Sequence, residues 1–174
     1  YYTLERRMSL PSIALAVGTA ISSTAFFGSF LVTEQTQDET PFLIISAIGM
    51  VTMLGYFHLF KLPFAMFVFG LFCMAFVYGV AIDGGEWFYL ASNFPAALFD
   101  LGQGANVALA SLGFGFAMMM AGLWFDMKDP HRISRHAVTG FWLHILAAPA
   151  LVNTCAMSLY NLGDSRGYVL TALL

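Results

Sequence analysis

The sequence has little charge: 10% of its 174 residues are Asp, Glu, Lys or Arg, and Lys and Arg together number 7. So few cations cannot make the basic stripe that neutralises a phosphate backbone, which excludes nucleic acid as a partner. Cysteine is scarce as well. Its two copies, Cys73 and Cys155, each lie inside an apolar run, where they read as small buried hydrophobes and not as a disulfide or metal pair. There is no HExxH, no CxxC, no glycine-rich phosphate loop and no nucleophile elbow, so the commonest metal, thiol, nucleotide and serine chemistries have no residues to stand on. Repeats of solenoid period and low-complexity linkers are also missing, which leaves a single domain over residues 1–174.

What the chain has in abundance is apolar length. Hydrophobic residues make up 59% of it, and the mean hydropathy is +0.77. That mix is far from a soluble domain's and predicts an all-α, polytopic transmembrane bundle. Crossing a hydrocarbon core of about 30 Å at about 1.5 Å per residue takes about 20 residues. Five stretches qualify: residues 11–32, 41–60, 64–82, 101–125 and 137–160. The first is already full length and has no cleavage-type end, unlike a secretory signal. The segment begins at Tyr1 and closes in the apolar run 167–174, which reads as the start of a sixth span, so truncation at one or both ends is expected.

Between the spans lie polar segments of opposite character. Residues 34–40, EQTQDET, are acidic, and Lys61-Leu62-Pro63 makes a tight turn. Residues 83–100 combine Gly84 and Gly85 with Trp87, Phe88 and Tyr89, rings that settle at a membrane–water boundary, and predict an interfacial loop with a short helix. Arg6, Arg7, Lys61, Lys128, Arg132 and Arg135 fall on one side of the alternating spans, and only Arg166 on the other. The positive-inside rule then places the amino end and the 58–63 and 126–136 turns in the cytoplasm. Small residues at helical spacing, Ala14, Gly18, Ser22, Ala25 and Ser29 in the first span and Gly113, Ala117 and Ala121 in the fourth, predict close helix packing. Pro149 predicts a kink in the fifth span, because it leaves the Ile145 carbonyl without its helical donor.

Chemistry is confined to two places. Asp126, Lys128, Asp129, His131, Arg132, Arg135 and His136 crowd one turn. Carboxylate and imidazole can ligate a divalent ion, but the neighbouring guanidiniums are the cheaper partners, so Asp126 and Asp129 are read as pairing with Arg132 and Arg135 in a structural charge cluster. Asp129-Pro130 also reads as a helix cap with proline in the first turn, which starts the fifth helix near residue 130. The second place is His144, the only ionisable residue well inside a predicted span. It reads as a neutral packing histidine without a second ligand within one turn. The sharper alternative makes it a haem or metal ligand.

Three motifs carry a resemblance: Glu5-Arg6-Arg7 with Leu10-Pro11-Ser12-Ile13, the series Asp126, Arg132 and Arg135, and Phe141-Trp142-Leu143-His144-x-x-Ala147-Ala148-Pro149. In these the chain resembles a family of uncharacterised bacterial polytopic inner-membrane proteins. The likeness covers both ends and not the middle, and implies a bacterial inner-membrane location with further helices before Glu5. Members often carry histidine where Asn153 stands here, so the resemblance implies no shared histidine site, and it brings no activity with it. The expectation is a non-enzymatic transport component or an assembly subunit, in contact with lipid and with other transmembrane helices or subunits. The alternative is a haem- or pigment-binding electron-transfer subunit.

Overall fold

The structure, a computed structural model, describes residues 9–31, 40–82, 105–131 and 133–161. Five helices account for nearly all of them: α1 (Ser9–Leu31), α2 (Thr40–Phe60), α3 (Phe64–Ala81), α4 (Ala105–Lys128) and α5 (Arg135–Asn161). Each is long and apolar enough to cross a membrane. The chain is thus an all-α bundle of an integral membrane protein, as its composition predicts. The interfacial loop predicted at 83–100, the acidic turn at 34–39, the start of the fourth span at 101–104 and the apolar end at 167–174 lie outside the described residues.

Helix α3 sits at the centre and touches all four others. Its buried residues include the small Ala65, Gly70, Cys73 and Gly79 beside Met66, Val68 and Tyr78, and at Gly70 and Gly79 larger side chains of its neighbours fit against its backbone. Ala16 and Ala20 of α1, Met53 and Tyr56 of α2, and Ala65 and Val68 of α3 form one core cluster. Phe114 of α4 with Leu146 and Ala150 of α5 close around Cys73 to form another. Trp142 of α5 stands edge-on to Phe64 at 5.0 Å, a geometry aromatic quadrupoles favour.

Apolar helices must satisfy their hydroxyls internally, because lipid supplies no partners. Ser46, Thr52, Thr139 and Thr154 each donate to the carbonyl four residues earlier, at 2.6–2.9 Å. The buried hydroxyls of Ser111 and Tyr78, 2.9 Å apart, join α4 to α3. Large apolar side chains cover the outside instead, among them Phe30, Val51, Leu59, Val80, Leu109 and Phe116, an arrangement that suits a lipid solvent and no aqueous one.

Two packing expectations are corrected. Ala14, Gly18, Ser22, Ala25 and Ser29 all lie exposed, and α1 buries Ser12, Ala16 and Ala20 instead. In α4, Gly113 and Ala117 also point away from the bundle, and the close approaches are made at Gly115, against Ala150 and Leu151, and at Gly122. Small-residue periodicity marks a face another helix could approach, but here a different small-residue face is used: α1 buries Ser12, Ala16 and Ala20 and turns Leu15, Ile21, Phe26 and Phe30 outward. Of the cysteines, Cys73 is buried and Cys155 exposed, and both are free. Helix α5 continues through Pro149 without a break.

Candidate functional site

Helices α4 and α5 form the most intimate pair in the bundle, and the turn between them is organised by Asp129. The Asp129 carboxylate accepts hydrogen bonds from the backbone amides of Ile133 (3.3 Å) and Ser134 (2.5 Å). The Ser134 hydroxyl in turn accepts from the His136 amide at 3.1 Å. Ser134 is therefore the residue capping α5, and Asp129 holds the strand of chain that leads into it. Bonding from the Ser134 side chain, then from the Ser134 and Ile133 amides, holds the Asp129 carboxyl below the usual aspartate range.

This corrects the expectation that α5 begins near residue 130. Pro130 stands outside the helix, which starts at Arg135. Nor do the described guanidinium and the two carboxylates pair. Arg135 donates through Nη1 to the carbonyl of Lys61 at 3.5 Å, joining the α5 start to the α2 end. The Arg132 part of the predicted cluster lies outside the described residues. Short local donors reach Asp129 without ordering a long side chain, which is why they win.

Asp126 has a different partner. Its Oδ2 lies 3.0 Å from Nε2 of His144, the only contact of an acidic with a basic side chain within ion-pair distance among the described residues. Two glycines make this crossing possible. A β-carbon at Gly122 would fall 2.7 Å from Cε1 and 2.9 Å from Nδ1 of His144, and one at Gly140 would fall 2.5 Å from Oδ1 of Asp126. Gly122 and Asp126 are one turn apart on α4, and Gly140 and His144 one turn apart on α5. In the antiparallel hairpin each ionisable side chain lies over the other helix's glycine. The side chains are 23% exposed for Asp126 and 34% for His144, so the pair is accessible from outside the bundle and not sealed into it.

The expected isolation of His144 thus holds only within its own helix, since its partner comes from α4. A haem or metal role would have to use a ring whose Nε2 faces Asp126 and whose Cε1 edge lies against Gly122. No group of three or more His, Cys, Asp or Glu able to hold a metal ion occurs among the described residues. In the turn, Asp126 faces His144, Asp129 faces backbone amides, and the His136 ring stacks on Phe125 at 5.9 Å.

The end of the bundle that carries this hairpin also gathers the basic residues. His58 and Lys61 close α2, Arg135 and His136 open α5, and all four line one open cavity of ≈390 Å³. The 58–63 and 126–136 turns are therefore at the same end, as the alternation of spans requires. Compared with known proteins, the chain matches no family model, no curated protein and no solved structure. The Asp126–His144 contact was missed from sequence. Its signal is the repeated Gly-x-x-x-ionisable pattern, Gly122 to Asp126 and Gly140 to His144, on consecutive spans of opposite direction.

Proposed function

We propose that the chain is a non-enzymatic transport component of a bacterial inner membrane, in which Asp126 and His144 act together as a proton-carrying pair. The observation that supports this is their 3.0 Å contact across two apolar helices. The pair lies near the basic end of the bundle, where α4 closes at Lys128, and ionisable groups on spanning helices are retained chiefly to pair, to relay protons or to bind ions. A carboxylate facing an imidazole can hold or release one proton while staying hydrogen-bonded, and the change alters the attraction between the helices that carry it. The glycine notches place both side chains at a close approach of α4 and α5, where a change in attraction acts directly on packing. The excess of Lys and Arg on one side supports a cytoplasmic amino end and a cytoplasmic location for the α4–α5 turn. The three resembling motifs support the inner-membrane assignment.

The test is charge movement in reconstituted vesicles adsorbed on a solid-supported membrane. A pH jump should give a transient current with the natural chain and a much smaller one with Asp126→Asn or His144→Gln. Equal currents from all three at equal protein content would overturn the reading.

A second role as an assembly subunit has an observation of its own. Ala14, Gly18, Ser22, Ala25 and Ser29 form an exposed small-residue face on α1, and a β-carbon at Gly18 would meet nothing within 4 Å. A helix of another subunit can approach such a face closely. Native mass of the detergent-extracted complex tests it, with Gly18→Leu expected to release the partner. A complex of unchanged mass in that variant would count against the role.

A further inference from the structure

The cavity between the α2 end and the α5 start has an unbalanced charge. Lys61 and Arg135 line it together with the imidazoles of His58 and His136, and among the described residues no carboxylate is in its wall. Of the two nearest acids in sequence, Asp126 faces His144, and Asp129 accepts from the Ile133 and Ser134 amides and lies within electrostatic reach of His136, which leaves Lys61 and Arg135 as the cations to be matched. Asp129 therefore already occupies the start of α5, and the attraction for an anion comes from side chains of the cavity. Among the described residues neither Lys61 nor Arg135 has an acid within ion-pair distance. Cations gathered without counter-charge repel one another, so their grouping suits a negative charge arriving from outside.

Lys61 supplies a second, independent observation. Its φ is 50°, the left-handed region that favours glycine, and its amide closes α2 by donating to the Phe57 carbonyl at 2.7 Å. Glycine makes this cap with less strain. The chain keeps a lysine there, and its carbonyl also receives the Arg135 guanidinium.

Phe57 contributes an apolar wall, the hydroxyls of Ser134 and Thr139 line the same cavity, and Leu59 and Val138 lie exposed close by in sequence. Cations and an adjoining apolar surface at the end of membrane spans suit a phosphodiester whose acyl chains run down the outside of the helices. We propose that this cavity binds a phosphate-bearing anion at the membrane–water boundary, with the head group of an anionic phospholipid as its favoured source.

The test uses the full chain purified in a neutral detergent and titrated with short-chain phosphatidylglycerol, short-chain phosphatidylcholine and inorganic phosphate, with bound adducts read by native mass spectrometry. Phosphatidylglycerol should bind more tightly than phosphatidylcholine. Removing one cation near a membrane surface is worth about 1 kcal/mol, so Arg135→Gln should weaken phosphatidylglycerol binding about fivefold. Lys61→Gly is the decisive variant, because it relaxes the left-handed turn while removing the charge: it should melt no lower than the natural chain and still lose about fivefold in binding. Failure of inorganic phosphate to compete assigns the site to lipid, whereas competition at comparable concentration assigns it to a free phosphate ligand of the same chemistry. Equal binding of both lipids, or undiminished phosphatidylglycerol binding by a well-folded Lys61→Gly, overturns the proposal.

Discussion

Gly122 faces the imidazole of His144 so closely that a β-carbon there would lie 2.7 Å from Cε1. Gly140 stands in the same relation to the Asp126 carboxylate, so the contact is reciprocal. Each helix contributes a notch and the side chain that fills the other helix's notch. Without the notches the helices would separate, and the Asp126–His144 hydrogen bond would lengthen with them. Packing and polar satisfaction therefore depend on the same four residues.

Substitution at these glycines should be costly, and at an open position such as Gly113 harmless. Gly122→Ala and Gly140→Ala force a shift of ring, carboxylate or helix, and overpacking of this kind costs about 1–3 kcal/mol. Gly113→Ala, where a β-carbon meets nothing within 4 Å, should leave the melting temperature in detergent unchanged or slightly raised. Thermal melts of the three variants check the contrast. A Gly113→Ala protein as unstable as Gly122→Ala would mean that α4 is turned the other way.

Asp126 and His144 should be energetically coupled. Hydrogen bonds between transmembrane helices average about 0.6 kcal/mol and reach about 1.7 in double-mutant cycles. A cycle built from Asp126→Asn, His144→Gln and the double variant, measured by unfolding in mixed micelles, should give a coupling in that range. Strictly additive effects would show that the contact does not hold the helices together.

Much of the fold was legible because it depends on one-dimensional quantities. The length of apolar runs and the positions of Pro63 and the charged turns set all five spans, with boundaries close to those of α1 to α5. The rotation of each helix was not legible. Small residues at Ala14, Gly18 and Ser22 mark a face open to approach, but whether a partner of the same chain fills it depends on the competing faces of the other helices. The Asp126 partner, and the absence of an Arg135 pair with either carboxylate, were not legible for a related reason. Counting charges favoured Arg partners for Asp126 and Asp129, whereas distance in the fold brings Asp126 to His144, eighteen residues on, and leaves Asp129 to local amides. Only a register between α4 and α5 reveals the first of these contacts.

The Asp129 contribution to stability should depend on pH with a defined sign. Its folded pKa is depressed, chiefly by hydrogen bonding from Ser134, so the carboxylate stabilises the native state above the unfolded value of about 3.9. That stabilisation is lost as pH falls below it through the depressed folded value. Asp129→Ala should melt lower than the natural chain at neutral pH, and Asp129→Asn should recover part of the loss because its amide oxygen still accepts the Ser134 and Ile133 protons. The difference between Asp129→Ala and the natural chain should shrink on acidification. Melting curves from neutral pH down to about 3 check both statements. A gap that widened on acidification would contradict the cap.

The last prediction concerns which way the bundle faces. Lys61, Arg135 and the two imidazoles beside them meet at one end, the end that also carries Lys128 over the Trp124 ring at 3.4 Å. Tryptophan under a lysine at the close of a span suits the boundary between hydrocarbon and water, where the ring stays in the interface and the ammonium reaches out. Translocating that end would carry several cations across the bilayer, whereas the turns at 34–40 and 83–86 carry only acidic charge. Single cysteines introduced into a chain lacking Cys73 and Cys155 report the outcome. An impermeant thiol reagent applied to intact cells should label cysteines at Gln37 and Gly85 and spare one at Ser134, an exposed residue that should react only after the membrane is opened. The opposite pattern would put the basic cavity on the outer face, where anionic head groups are rarer, and would remove the electrostatic basis for the orientation.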